Sequence, residues 1–131
     1  MNAIHSRNLR ILAADDNPVN QKLMIAALKS LGHTGVVVND GEKALRALGQ
    51  LQFDLVLLDV QMPVMDGLQV LAEIRAQEQA GKPHLPVIMV TANDLPGDRL
   101  RFTQKGADGY VAKPVDVEVL NKEITRVLGA V

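Results

Sequence analysis

Short apolar runs alternate five times with longer segments whose apolar residues recur at helical spacing. No other property of the chain restricts its fold as much. The runs occupy residues 9–14, 34–39, 55–58, 86–90 and 109–112. The helical segments occupy 18–31, 40–51, a stretch opened by Asp66-Gly67 and stopped at Gly81-Lys82-Pro83, then 95–105 and 115–128. The run Leu55-Val56-Leu57-Leu58 is apolar on both faces, as a strand covered from two sides must be. Strands alternating with helices predict a parallel sheet with helices on both faces, joined by right-handed crossovers. The 95–105 helix is expected to be the weakest, because Leu95-Pro96-Gly97 delays its start.

In an open α/β sheet, strand C-termini face the crevice where ligands bind. Five polar residues stand at those ends: Asp15 with Asp16, then Asp59, Thr91 and Lys113. Asp15 and Asp16 have an ordinary use as helix-start residues before Asn17-Pro18. Their other use is to hold a hard cation, since Mg²⁺ takes oxygen ligands and is usually bound by one or two carboxylates. Asp59 ends the most apolar run. Desolvation and nearby carboxylates are expected to raise its pKa. Its functional reading is a nucleophile that accepts a phosphoryl group as an acyl phosphate. Lys113 then supplies positive charge, and Thr91 a hydroxyl, to the phosphoryl oxygens. Taken singly, each has a plain structural use as a cap, a loop lysine or a strand residue. Pro114 follows Lys113, and the bond between them is expected to be trans by default. Tyr110, the lone tyrosine, lies in the last run.

Composition removes several classes of function. There is no cysteine, so disulfides, thiolate metal sites and cysteine nucleophiles are excluded. The net charge of −1, with both signs mixed, argues against bulk binding to nucleic acid or anionic membrane. No apolar run approaches the ~20 residues of a membrane span. The 131 residues suit one domain, read as a core over 9–131 preceded by an extension over 1–8. The expected location is cytoplasmic. In the first helix Val19, Leu23, Ala26, Ala27 and Leu31 are read as the inward face. Met24 and Leu28 widen the apolar arc to roughly 200°, and they are expected to form part of a partner-docking surface.

Asp15-Asp16-Asn17, the block from Leu57 to Gly67 (LLDVQMPVMDG), Val90-Thr91-Ala92 and Lys113-Pro114 together resemble the response-regulator receiver domains of two-component signalling. The resemblance covers about residues 9–128. The segment Asp16-Asn17-Pro18-Val19-Asn20-Gln21 resembles receivers attached to hybrid histidine kinases. It implies a flavodoxin-like (βα)5 three-layer sandwich with a five-stranded parallel sheet in the order 2-1-3-4-5. It implies Asp59 as phosphoacceptor from a sensor histidine kinase or histidine phosphotransfer protein. Asp16, Asp59 and the Gln61 backbone carbonyl would bind Mg²⁺ (or Mn²⁺), with Asp15 acting largely through water. Thr91 and Lys113 would bind the phosphoryl group, Thr91 and Tyr110 would form the switch, and Gln61 and Asn93 would tune dephosphorylation. The expected protein is a monomer or weak dimer, stand-alone or cut from a larger kinase. It assists its own phosphorylation and dephosphorylation without turning over free substrates. The alternative is a haloacid-dehalogenase-type phosphohydrolase, but that chemistry wants a second aspartate where Gln61 stands. A flavin module would need a hydroxyl- and glycine-rich loop where Asp15-Asp16-Asn17-Pro18 stands.

Overall fold

A computed structural model describes residues 8–92 and 95–129. Ten elements alternate strictly: β1 (Arg10–Ala14), α1 (Pro18–Ser30), β2 (Thr34–Val38), α2 (Gly41–Gln50), β3 (Leu55–Asp59), α3 (Gly67–Gln79), β4 (Val87–Thr91), α4 (Asp98–Gln104), β5 (Gly109–Ala112) and α5 (Val117–Leu128). The five strands are parallel in the order β2-β1-β3-β4-β5, a flavodoxin-like sheet. Strand side chains alternate between two cores. Ile11, Ala13, Leu55, Leu57, Ile88 and Val90 pack against α1 and α5. Leu12, Val56, Leu58, Val87 and Met89 pack against α2, α3 and α4. Burial on both faces is why these strands read as unbroken apolar runs.

Local chemistry sets the element ends. The Asn17 side chain accepts from the N–H groups of Val19 and Asn20, and Pro18 stands at the first helical position, where its missing N–H costs nothing. Asp66 and Gln69 form a reciprocal capping box on α3. By contrast α4 has no side-chain cap: Gly97 precedes it at φ 86°, and it runs only seven residues, from Asp98. The delayed start expected from Leu95-Pro96-Gly97 is what the chain adopts. Among the described residues, no helix is long and apolar enough to cross a membrane.

The first helix corrects one expectation. Met24 and Leu28 are buried, 1% and 0% exposed, and cannot form a docking surface. They share the core with Ala27, Leu120 and Ile124. Val19 and Leu23, read as the inward face, are exposed at 64% and 42%. Positions 24, 27, 28 and 31 follow the i, i+3, i+4, i+7 rule, so burying that stripe turns the other apolar arc outward.

At the N-terminal end of the sheet a charged network ties α3 to the start of β4 and the loop before β5. The Arg75 guanidinium donates to Glu78, to the Gly106 and Leu85 carbonyls and to Asp108. His84 places Nδ1 3.0 Å from Glu78 and Nε2 2.8 Å from Asp108. Two carboxylate neighbours require two ring N–H donors, hence the imidazolium. The Asp108 hydrogen bond, and then Glu78, outweigh burial and raise the His84 pKa above 6.5. For Glu78, burial alone would raise the carboxyl, but the Leu85 N–H, His84 and Arg75 hold it below its ordinary value. A raised histidine adds stability that is complete below the unfolded pKa and is lost as pH rises through the folded one. His84→Gln is therefore expected to cost up to about 1 kcal/mol near pH 6, discounted for exposure, and almost nothing near pH 8.5. Urea titrations at the two pH values check this, and an equal cost at both removes the charged network as its cause.

Candidate phosphoryl and metal site

Parallel register brings the strand ends together. Ala14 is level with Leu58, Asp59 with Val90, and Thr91 with Ala112. Asp15, Asp59, Thr91 and Lys113 therefore come together at one edge of the sheet, beside the paired ends of β1 and β3. The sidedness matters too: Lys113 follows β5 directly, its N–H donating to the Thr91 carbonyl at 2.8 Å. The Lys113–Pro114 bond is cis, not the default trans.

The Lys113 Nζ lies 2.9 Å from Asp15 Oδ2 and 3.0 Å from Asp59 Oδ2. Asp15 is fully buried, Asp59 is 4% exposed and Thr91 is 5% exposed. The Asp15 Oδ2 has no partner in hydrogen-bond geometry, so its contact with Lys113 is ionic. Its other oxygen accepts from the Asn17 N–H at 2.9 Å. Gln21 Nε2 donates to the Asp15 carbonyl at 2.6 Å, and the Gln61 N–H reaches Asp59 Oδ1 at 3.3 Å. Burial, opposed by Lys113 and reinforced by Asp15, raises the Asp59 pKa, as expected from sequence. For Lys113, burial acts against the charge, but the close attraction of Asp15 and Asp59 prevails and raises its pKa.

Asp15, Asp16 and Asp59 can each bring a carboxylate oxygen within 4.8 Å of the others. An all-oxygen, trianionic set with one exposed member fits a hard divalent cation that keeps part of its water. The cleft over it has a volume of about 660 Å³ and is lined by Asp16, Asp59, Gln61, Thr91, Arg101 and Lys113 among others. A larger cleft of about 840 Å³ lies at the opposite strand ends, near Arg10, Asp54 and His84. It mixes charges of both signs and gathers no comparable carboxylate cluster among the described residues, so the smaller cleft is the candidate site.

The loop after β3 is held tightly. A Cβ on Gly67 would sit 2.1 Å from the Asp59 carbonyl oxygen, so only glycine lets α3 start against the backbone of Asp59. Val64 stands at φ 70°, with the Met65 N–H bonded to the Pro63 carbonyl at 2.7 Å, a γ-turn. A β-branched residue is strained there. Val64 is 75% exposed, so little burial offsets the strain. Val64→Asn is expected to stabilise the fold by about 1 kcal/mol, because it removes the β-branch that crowds the backbone at positive φ. A denaturation midpoint that stays put or falls would show that the turn carries no such cost.

Tyr110 is half-buried. Its ring centroid lies 5.9 Å from that of Phe102, and the Arg99 guanidinium carbon lies 4.8 Å from the Tyr110 centroid. Arg99 is held in turn by Glu123, a 6% exposed carboxylate that also accepts from the Tyr110 N–H and from Arg126. Burial would raise Glu123, but Arg126, Arg99 and the Tyr110 N–H bring it down to about 2. Asn93 lies outside the described residues. Three residues escaped sequence reasoning. Glu123 was detectable, since it occupies an apolar phase of α5 between Leu120 and Ile124. Gln21 and Arg101 look like ordinary surface residues in sequence.

The family model for the response regulator receiver domain matches residues 11–125. The chain is 38% identical over 127 residues to the sensor protein GacS of Pseudomonas syringae pv. syringae, covering 96% of this chain and 14% of that protein. It is 41% identical to the sensor histidine kinase RcsC of Escherichia coli (strain K12), covering 90% and 12%. The chain thus spans a small fraction of the curated relatives it matches. The receiver domain of a Pseudomonas aeruginosa sensor histidine kinase, solved with magnesium coordinated in its active-site cleft, superposes with a TM-score of 0.80. It is 40% identical, over 94% of this chain and 99% of that one. The chemotaxis response regulator CheY4 of Vibrio cholerae gives a TM-score of 0.81 at 30% identity, covering 92% and 99%.

Proposed function

The chain belongs to the response regulator receiver domain family, and from that membership we propose that Asp59 takes a phosphoryl group from a phosphohistidine on a sensor histidine kinase or a histidine phosphotransfer protein. The observation that carries this reading is a buried carboxylate at a strand end, 3.0 Å from a lysine ammonium, inside a cluster of three acids. An Asp59 carboxylate oxygen attacks phosphorus in line with the departing imidazole nitrogen. The P–O bond forms as the P–N bond breaks, and the nitrogen leaves with the bonding electron pair. Lys113 meets the phosphoryl charge, and the Thr91 hydroxyl donates to a phosphoryl oxygen.

Mg²⁺ (or Mn²⁺) would be held by Asp16, Asp59 and the Gln61 carbonyl, with Asp15 acting through water. Bound there, the ion offsets charge between the carboxylates and the incoming phosphate. The complete burial of Asp15 and its contacts with Lys113 and Asn17 support its indirect part. Gln61 and Asn93 tune dephosphorylation, a reaction the domain assists on itself without turning over free substrates. Thr91 and Tyr110 pass the change to the α4–β5–α5 face. The family match leaves the haloacid-dehalogenase reading without support.

The test is to incubate the protein with Mg²⁺ and a small acyl-phosphate donor and weigh the intact chain. One added phosphoryl group, mapped to Asp59, is expected. A chain that binds Mg²⁺ and stays unmodified overturns the reading.

A further inference from the structure

Arg101 lines the same cleft as Asp59, Thr91 and Lys113, yet the proposed chemistry gives it no part. Its setting is built rather than casual. The Asp98 carboxylate is 4% exposed and accepts from Arg101 Nη2 at 3.0 Å through Oδ1. The Leu95 N–H donates to Asp98 Oδ2 at 2.9 Å and fixes that carboxylate. The Arg101 guanidinium carbon lies 4.7 Å from the centroid of the Phe102 ring, which supports the group from its face. Guanidinium offers five N–H donors, and the hydrogen bond to Asp98 uses Nη2 alone. Nε and Nη1 thus keep donors for an anion while Asp98 holds the group in place. The side chain is 51% exposed, so a ligand in the cleft can reach it.

Asp98 offsets the formal charge of Arg101, so what the guanidinium brings to the cleft is a set of fixed N–H donors for an anion. A divalent cation and Lys113 together offset the three carboxylates and leave nothing for an incoming phosphoryl dianion. Among the described residues, Arg101 and Lys113 are the cations that line the cleft. We propose that Arg101 is a second phosphoryl-contacting cation beside Lys113, positioned by Asp98 and Phe102, that receives the donor's phosphoryl oxygens as they approach Asp59. This rests on the reading of Asp59 as phosphoacceptor and adds a specificity element to it. Arginine suits the task because its planar fork matches phosphate oxygens.

The test compares Arg101→Gln and Arg101→Lys with the parent chain. Glutamine keeps an N–H donor for Asp98 but removes the charge. Quenched time courses read by intact mass follow Asp59 modification in Mg²⁺, with acetyl phosphate and with the less negatively charged phosphoramidate. Arg101→Gln is expected to slow the acetyl phosphate reaction roughly three- to ten-fold at low salt. The defect should be smaller with phosphoramidate and fade in high salt. Arg101→Lys should recover part of the rate. Parent rates in Arg101→Gln with both donors overturn the proposal. So does a defect equal for both donors and indifferent to salt, which marks a structural role. A parent chain that accepts no phosphoryl group from either donor overturns the Asp59 reading and this one with it, whereas a modified parent with an indifferent Arg101→Gln overturns this one alone.

Discussion

Asp59→Asn is expected to abolish phosphoryl incorporation while leaving the chain folded. Asparagine has nearly the same shape, so the β3 end and the close contact between Gly67 and the Asp59 carbonyl survive. The amide lacks the anionic oxygen that must attack phosphorus. Stability should not fall. The raised pKa of Asp59 means that the folded state disfavours its ionised form, and asparagine carries no charge to disfavour. Lys113 keeps Asp15 as its partner. Intact-mass measurement with Mg²⁺ and an acyl-phosphate donor checks the first part, and a urea melt checks the second. Modification persisting at parental extent would move the acceptor to another residue.

Lys113→Ala is expected to be the most damaging single change to stability at the site. It leaves two buried carboxylates, Asp15 and Asp59, facing each other without the ammonium that bridges them. Breaking a buried pair from one side costs more than the pair contributes, because the remaining charge stays desolvated. The expected loss is about 3 kcal/mol without divalent ions. Added Mg²⁺ should restore part of it, since a cation between the carboxylates replaces some of the missing charge. In an Asp59→Asn background the same substitution should cost less, because only one carboxylate is stranded. Urea denaturation of the four variants, with and without Mg²⁺, measures all three quantities. A loss below about 1 kcal/mol, unmoved by Mg²⁺, would show that water already screens the cluster.

The site was legible in the sequence because its parts sit where topology allows no choice. A parallel strand covered on both faces must be apolar throughout, so the first polar residue after it marks the crevice edge. Asp15, Asp59, Thr91 and Lys113 all obey that rule, and parallel register does the rest. The packing of α1 was not legible. Val19 with Leu23 and Met24 with Leu28 are two apolar arcs on one helix, and only contact with Leu120 and Ile124 decides between them. Those partners lie nearly a hundred residues away in sequence, beyond the reach of helical periodicity. Arg101 was invisible for a similar reason: its meaning comes from Asp98 and Phe102 holding it at the cleft, and an exposed arginine on a short helix has no periodicity to betray it.

Glu123 has a mechanical consequence. One carboxylate is the common fastening of α4 through Arg99, of β5 through the Tyr110 N–H and of α5 through its own backbone. Pulling α4 or β5 away leaves this buried carboxylate to Arg126 of its own helix, so the three elements share a single joint. Under the proposed switch, a displacement that begins at Tyr110 is expected to reach α5 through this carboxylate. Native-state hydrogen exchange should find the amides of α4 and α5 opening together in the parent chain and separately in Glu123→Gln. Joint opening in both would place the joint elsewhere.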